Sequence, residues 1–193
     1  MSIRCDAALF DLDGTLLDSS GAVERSWRAW CARNDIPPGP VLHLLHGRRS
    51  VETIAAVAPE LDALAEDAVL QHLEATDVEG IEALPGALEL LKRLPTDSWA
   101  IVTSGVSKVA RARMKAAGII PPEVVVFGDQ VARGKPAPDP FLLAAQRLNV
   151  DPTKCVVFED SSFGFSAAHA AGMTVVAVGA GTALAPAWAQ SVG

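Results

Sequence analysis

Two aspartates, Asp11 and Asp13, offer the clearest chemistry in this chain of 193 residues. They directly follow a short apolar run, residues 7–10, which predicts a strand that ends at the first carboxylate. An aspartate is ionised at neutral pH, since its ordinary pKa is about 3.9, and it can act as a nucleophile without a base. The second carboxylate can protonate a leaving oxygen and later take a proton from water. Beside a phosphate the pair would need a compensating cation, and Mg2+ prefers such hard oxygen ligands.

An Asp-x-Asp-Gly string can also simply solvate a turn, so its meaning depends on the elements around it. Four later segments are short and rich in β-branched residues, as in buried parallel strands: residues 99–103, 124–127, 155–158 and 174–178. Helical segments with start or stop signals lie between them, at residues 107–117, 141–148 and 163–171. This alternation predicts an α/β fold, a Rossmann-like parallel sheet with helices on both faces.

Residues 19–80 have a different pattern. Helix-like segments span residues 22–33, 50–58 and 61–76, with breaks expected at the prolines of residues 37–40 and at Pro59. No strand is evident among them. We therefore expect an all-helical domain at residues 19–80, inserted into a core made of residues 1–18 and 81–193. The connections between the two are expected at residues 16–19 and 80–86.

Polar residues follow the predicted strands at corresponding places. Asp11 ends the first strand, and Ser104, Lys135 and Asp160 each come after a later one. Ligands of open α/β sheets bind beyond the carboxyl ends of the strands, so these side chains should converge on one crevice. Ser104 and the unhindered N–H of Gly105 suit phosphate oxygens. The alternative for this pair is a hydroxyl turn leading into a helix.

Glu159 and Asp160 close the third of these later strands. Asp160 could complete a Mg2+ site together with the Asp11 carboxylate and the Asp13 carbonyl, with Glu159 supporting the site from behind. The alternative is that Asp160 or its neighbour Ser161 only caps the following helix.

Lys135 lies in a loop stiffened by glycine and proline on both sides, residues 133–140. A fixed ammonium there could stabilise charge on the oxygens of a transferred phosphoryl group. The alternative is an ordinary surface lysine.

The helical segment contains His46, Gly47, Arg48 and Arg49. Two arginines after a glycine could contact the polar end or the phosphate of a substrate. A solvated basic face is the alternative.

Composition limits the partners. The chain has 16 basic and 23 acidic side chains, which leaves a net charge of −7 and argues against nucleic acid or an anionic membrane. Three scattered cysteines without a Cys-x-x-Cys pair favour a reducing compartment and argue against a zinc site. The N-terminus does not resemble a secretory segment, and no apolar run reaches the roughly 18 residues of a membrane span. We expect a cytoplasmic monomer that binds a small phosphorylated metabolite.

Four strings occur in a fixed order along the chain: DLDGT at residues 11–15, VTSG at 102–105, GKP at 134–136 and FEDS at 158–161. This order resembles the four motifs of the haloacid dehalogenase-like hydrolases, and the resemblance extends from Leu9 to Val178. It implies a Rossmann-like core with a helical cap, a Mg2+ cofactor and an aspartyl-phosphate intermediate.

The resemblance also implies roles for individual residues. It gives Asp11 as nucleophile, Asp13 as acid and base, Ser104 and Lys135 as phosphate ligands, and Asp160 as metal ligand. Leu12 and Thr15, in the first string, are expected to join the phosphate site with Gly105.

Further strings, at residues 23–27, 46–49, 82–86, 99–105 and 121–125, resemble the bacterial sugar and hexitol phosphatases and the similar yeast phosphatases for glycerol phosphate and 2-deoxyglucose 6-phosphate. We expect a Mg2+-dependent phosphatase of small sugar or polyol monophosphates. One alternative is a β-phosphoglucomutase-type isomerase, although Val23 replaces the histidine usual in such mutases. Another is a catalytically silent module that binds a phosphometabolite.

Residues 162–165 (SFGF) depart from the family, whose members usually carry small residues and proline there.

Overall fold

Six parallel strands form the central sheet of the computed structural model, which describes residues 3–45 and 47–191. The order of strands in the sheet is β5-β4-β1-β6-β7-β8. The strands are β1 (Ala7–Phe10), β2 (Leu17–Asp18), β3 (Glu82–Ala83), β4 (Trp99–Val102), β5 (Val124–Val126), β6 (Cys155–Glu159), β7 (Thr174–Ala177) and β8 (Gln190–Ser191). The helices are α1 (Ser20–Arg33), α2 (Pro38–Leu42), α3 (Ser50–Val57), α4 (Ala63–Thr76), α5 (Ala87–Leu91), α6 (Ser107–Ala116), α7 (Asp139–Leu148) and α8 (Ser162–Ala170).

The predicted α/β class is confirmed, and the central strand β1 shows why its sequence is apolar at every position. Side chains alternate between the faces of a strand. Ala7 and Leu9 therefore pack on one face against α7 and α8, and Ala8 and Phe10 pack on the other against α5 and α6. Because helices cover both faces, neither set can be polar.

Helices α1–α4 form a helical insertion between β2 and β3 with a hydrophobic core of its own. Its buried members are Trp27, Trp30, Cys31, Val41, Ile54, Ala58 and Leu70. The two tryptophan rings meet edge to face at 5.6 Å. The indole N–H of Trp30 donates to Glu66 at 2.9 Å, which satisfies the polar atom of this fully buried ring.

Two strands were not anticipated at the connections to the insertion. Leu17 pairs with Ala83, and Asp18 with Glu82, in a two-stranded antiparallel ribbon of β2 and β3. The ribbon holds the entry and the exit of the insertion side by side.

The break expected at residues 37–40 is confirmed only at Pro37, because α2 begins at Pro38. Pro38 occupies the first turn of α2, where a residue without an N–H loses no hydrogen bond. The helical segment predicted at residues 107–117 is α6, and Ser107 is its first residue. Its backbone N–H and hydroxyl both donate to Asp129, which caps α6 from the loop after β5.

Within the described part of the chain, no helix combines the length and the apolar character needed to cross a bilayer.

Candidate active site

The residues predicted to do chemistry meet at the carboxyl edge of the sheet. Asp11 follows β1, Ser104 follows β4, and Asp160 follows β6. They line one cavity of about 490 Å3, whose other side is formed by residues of the helical insertion. Asp13 lines the same cavity.

Lys135 is buried and paired, so the alternative of a solvated surface lysine is wrong. Its ammonium donates to Asp11 Oδ1 at 2.5 Å, to Glu159 Oε1 at 2.6 Å and to the carbonyl oxygen of Val102 at 3.0 Å. These three acceptors match the three protons of an ammonium. Burial works against the charge, but the carboxylates of Asp11 and Glu159 outweigh it and raise the pKa of Lys135.

Asp11 is 6% exposed, and this corrects the assumption that its pKa is ordinary. Burial raises the pKa of the Asp11 carboxyl, and the adjacent Lys135 ammonium opposes that shift. The hydrogen bond from Lys135 uses Oδ1, which leaves Oδ2 outside this contact. Lys135 therefore does two things: it favours the charged form of Asp11 and fixes which oxygen it turns toward the cavity.

Glu159 holds neighbouring groups of the site in place through hydrogen bonds to its carboxylate. Its Oε1 accepts from Lys135, and its Oε2 accepts from the N–H groups of Asp160 and Ser161, both at 2.8 Å, and from the Ser161 hydroxyl at 3.0 Å. With both oxygens used in this way, Glu159 orients its neighbours rather than offering free ligand atoms. Ser161 also accepts from the N–H of Gly164 and caps α8, so the capping role falls to Ser161 and not to Asp160.

The donor atoms present fit a divalent cation. Carboxylate oxygens of Asp11, Glu159 and Asp160 lie within 4.8 Å of one another. Burial, and then the neighbouring Glu159 charge, raise the pKa of Asp160 to about 7. Gly14 has φ of +89°, and a side chain there would overlap the Asp160 carboxylate, so a glycine is needed for this close approach. Crowded oxygen ligands that repel one another are suited to Mg2+.

Two residues that the sequence reasoning missed hold Asp13. Its Oδ1 accepts from the Ser19 hydroxyl at 2.6 Å and from Arg113 Nη1 at 2.9 Å. Arg113 also pairs through Nη2 with Glu74 of α4 at 3.2 Å. Burial works against the guanidinium charge, but Asp13 and Glu74 outweigh it and raise the pKa of Arg113.

A signal for Arg113 is present in the sequence. Ala110, Met114 and Ala117 form a buried stripe on α6, and Arg113 lies within that stripe at helical spacing. An arginine on an apolar helix face requires a buried partner, so the pattern of α6 indicates that Arg113 pairs with an acidic side chain.

Ser104 and Gly105 line the cavity, but each already makes a hydrogen bond within the protein. The Ser104 hydroxyl donates at 3.0 Å to the carbonyl of Gly47 in the helical insertion. The N–H of Gly105 donates at 3.0 Å to the Thr103 hydroxyl, which is the turn given as the alternative for this pair.

The insertion residues 47–49 contact the sheet side of the molecule. Gly47 packs against Ser161 with no space for a side chain. The Arg48 guanidinium lies 5.4 Å from the centre of the Phe163 ring, a cation–π contact. Phe163, an aromatic residue where the family usually carries small residues or proline, therefore contacts Arg48 of the insertion. His46 lies outside the described residues.

The remaining predicted site residues, Arg49, Leu12 and Thr15, are not among the residues that line the cavity. Arg49 pairs with Glu52 and points at the carbonyls of Val131 and Ala132, at 3.4 and 3.5 Å, rather than into the cavity. The Leu12 side chain is fully buried in the hydrophobic core. Thr15 lines a neighbouring cleft and its hydroxyl is buried.

The fold and this site define a hydrolase class, and comparison with known proteins agrees. The family model described as haloacid dehalogenase-like hydrolase matches residues 5–172. The chain belongs to this family.

Its relatives include phosphatases. The chain is 49% identical to hexitol phosphatase A of Escherichia coli over 183 residues, which cover 92% of this chain and 85% of that protein. It is 35% identical to glycerol-1-phosphate phosphohydrolase 1 of Saccharomyces cerevisiae, over 92% of this chain and 76% of that protein. The solved structure of β-phosphoglucomutase from Clostridium difficile has a TM-score of 0.83 at 24% identity, covering 98% of this chain and 91% of that one, and this likeness concerns the fold. The chain is a phosphatase of this family.

We predict that Gly164→Ala damages the site through Glu159. A methyl group at Gly164 would overlap the Glu159 carboxylate, which would have to move away from Lys135. We expect the free energy of unfolding to fall by about 1–3 kcal/mol, and phosphatase activity to fall with it. Urea unfolding and phosphate release measure the two effects.

Gly39→Ala in α2 is the matched control, because a methyl group there meets nothing within 4 Å. If both variants behave alike, the bracing role of Glu159 is wrong.

Proposed function

We propose that this phosphatase hydrolyses small sugar or polyol monophosphates through an aspartyl-phosphate intermediate with Mg2+ as cofactor. The observation that carries the proposal is the arrangement of Asp11, which is held by Lys135, lies next to Asp160 and lines the cavity. The substrate class is supported by relatives whose names refer to hexitol and glycerol phosphates.

The chemistry proceeds in two displacements on phosphorus. In the first, a carboxylate oxygen of Asp11 attacks the phosphorus, the bond to the sugar oxygen breaks, and Asp13 protonates that oxygen. In the second, water attacks the phosphorus of the aspartyl phosphate while Asp13 accepts its proton. The bond to Asp11 then breaks, and inorganic phosphate and the free carboxylate are formed.

The cofactor would be held by the carboxylates of Asp11 and Asp160 and by the backbone carbonyl of Asp13, with Glu159 bracing them. When bound, Mg2+ neutralises charge on the phosphate oxygens. Ser104 is expected to bind phosphate after its hydroxyl leaves the Gly47 carbonyl. Lys135 stabilises the phosphoryl group through its fixed charge beside Asp11.

We further propose that residues 19–80 are a cap domain and that residues 1–18 with 81–193 are the catalytic core. The β2–β3 ribbon marks the two crossings between them and is a natural hinge. The insertion covers the cavity and would exclude bulk water during reaction.

The cavity itself suits a short hydroxylated chain. On the insertion side it is lined by the hydroxyl residues Ser20, Ser50 and Thr53 and by apolar residues that include Trp27 and Leu42. Hydroxyl groups on the walls can bind the hydroxyls of a polyol, while the apolar residues pack against its carbon chain. The volume of about 490 Å3 is ample for a molecule of three to six carbons.

The setting proposed for this activity follows from composition. A net charge of −7 favours a small phosphorylated metabolite over nucleic acid or an anionic membrane. The cysteines Cys5, Cys31 and Cys155 are free, which suits the reducing cytoplasm. We expect the protein to act there as a monomer.

The alternative of a catalytically silent binding module is not favoured, because the family is one of hydrolases and the acidic residues for the chemistry are present.

The variant Asp11→Asn tests the proposed mechanism directly. The amide cannot attack phosphorus, so release of phosphate from sorbitol 6-phosphate and from p-nitrophenyl phosphate should fall by several orders of magnitude. Circular dichroism should show an unchanged fold. Near-normal phosphate release by this variant would reject Asp11 as the nucleophile.

A phosphoglucomutase-type isomerase is the second enzyme hypothesis, favoured by the shared fold with β-phosphoglucomutase. A mutase must keep its phosphoenzyme intact until the sugar has reoriented, whereas a phosphatase admits water. We predict that β-glucose 1-phosphate incubated with the protein and Mg2+ yields inorganic phosphate and glucose. Chromatography that finds glucose 6-phosphate as the main product would establish the isomerase instead.

The cofactor proposal predicts a thermodynamic signature. Mg2+ at about 100 times its Kd should add about 2.7 kcal/mol to the free energy of unfolding. Asp160→Asn removes one of the mutually repelling carboxylates, so it should stabilise the protein without Mg2+ and abolish the shift on adding Mg2+. Thermal melting with and without Mg2+ measures both effects.

Asp97→Asn, in an exposed turn, is the control for loss of a carboxylate elsewhere and should retain the full shift. A Mg2+ shift that survives in Asp160→Asn would place the ion at another site.

A further inference from the structure

We propose that Arg113 is a positioning residue that couples closure of the helical insertion to the alignment of Asp13. The inference rests on the proposed function, since it concerns the acid/base group of that reaction. Arg113 is on α6 of the core, only 6% exposed, and its guanidinium reaches in two directions. Nη1 donates to Asp13 Oδ1 at 2.9 Å, and Nη2 pairs with Glu74 of the insertion at 3.2 Å.

The contact fixes the rotation of the Asp13 carboxyl group. Arg113 and the Ser19 hydroxyl donate to the same oxygen, Oδ1, at 2.9 and 2.6 Å. Oδ2 is outside both of these bonds and is therefore the oxygen able to carry the proton. Ser19 immediately precedes α1, at the entry to the insertion, so one of the two donors stands at the proposed hinge.

The partner of Arg113 is contributed by the insertion. Glu74 is on α4, its side chain is 10% exposed, and burial raises its pKa despite the opposing guanidinium. Moving the insertion away from the core would separate two charges that are buried together, and each would then need another partner or water. The pair therefore favours the closed arrangement. Asp13, Arg113 and Glu74 are joined in one chain of contacts only when the insertion is in place.

A role limited to stability does not explain this arrangement. The Nε atom of Arg113 is buried and has no hydrogen-bond partner among the residues that the structure describes. A buried, unsatisfied donor is unfavourable. The side chain of Arg113 also lines the reaction cavity.

The test uses leaving groups that differ in their need for a proton. An alkoxide leaving from sorbitol 6-phosphate must be protonated, whereas the nitrophenolate leaving from p-nitrophenyl phosphate needs little help. The value of kcat/KM reports this first displacement. In Arg113→Met, we expect kcat/KM for sorbitol 6-phosphate to fall about 10–100-fold, as for other residues that support a reacting group, mainly through kcat. The loss on p-nitrophenyl phosphate should be several times smaller.

Companion variants separate the two contacts. Glu74→Gln leaves Arg113 on Asp13 but weakens the link to the insertion, so it should raise KM for sorbitol 6-phosphate and largely keep kcat. Arg113→Lys keeps the charge and serves if Arg113→Met does not fold; it should show the same leaving-group preference at a smaller loss. Arg111→Met is the matched control, since Arg111 is exposed on the same helix over the Phe127 ring and should behave as the parent protein.

The outcomes distinguish this inference from the proposed function. If Asp13→Asn shows the preference for the aryl phosphate and neither Arg113 variant does, the role of Arg113 is overturned and the acid/base role of Asp13 stands. Equal losses on both substrates in the Arg113 variants would likewise reduce Arg113 to a structural residue. If Asp13→Asn turns over the sugar phosphate normally, the proposed role of Asp13 fails first and this inference falls with it.

Discussion

The buried ammonium of Lys135 is the interaction on which the rest of the site depends. Three carboxylates, from Asp11, Glu159 and Asp160, lie within 4.8 Å of one another where the sheet excludes water on one side. Without a cation their mutual repulsion would favour protonation or separation. Lys135 supplies one positive charge, so the cluster carries a charge of −2 when all three carboxyls are ionised. That charge suits a divalent cation, and the proposed Mg2+ together with Lys135 would keep Asp11 charged.

The sheet makes this crowding possible because it delivers the acidic residues on adjacent strands. β1 lies directly beside β6, with Phe10 opposite Phe158, so the residues after these strands emerge next to each other. Glycine at position 14 and at position 164 provides the remaining space, since a side chain at either would overlap a carboxylate. Rigid strands and close backbone approach together hold the reacting groups in place before substrate arrives, which reduces the reorganisation needed in the transition state.

The sequence allowed five strands of the central sheet, β1 and β4–β7, and the residues of the four motifs to be predicted, because both depend on local pattern. Strands buried on both faces are continuous apolar runs, and their carboxyl ends must share an edge. The contacts between the insertion and the core could not be predicted in this way. Arg113 meets Asp13 across 100 positions of sequence, and only the packing of α4 against α6 brings Glu74 to it. Pro38 shows a different limit, since proline ends a helix in its interior but is compatible with its first turn.

The two sides of the cavity have separate tasks, and the residues between them connect those tasks. The core side holds Asp11 and Asp160, the residues of the proposed phosphoryl chemistry. In that proposal the insertion side would face the remainder of the substrate, so selectivity is expected there. Polar and aromatic contacts join the two sides: the Ser104 hydroxyl on the Gly47 carbonyl, Arg48 over the Phe163 ring, and the buried pair of Arg113 and Glu74. Water can replace the partner of the Ser104 hydroxyl at little net cost, whereas parting the insertion from the core would also separate the buried charges of Arg113 and Glu74. In the proposed mechanism an arriving phosphate takes over the Ser104 hydroxyl from the Gly47 carbonyl, which would tie binding at the core side to a change at the insertion side.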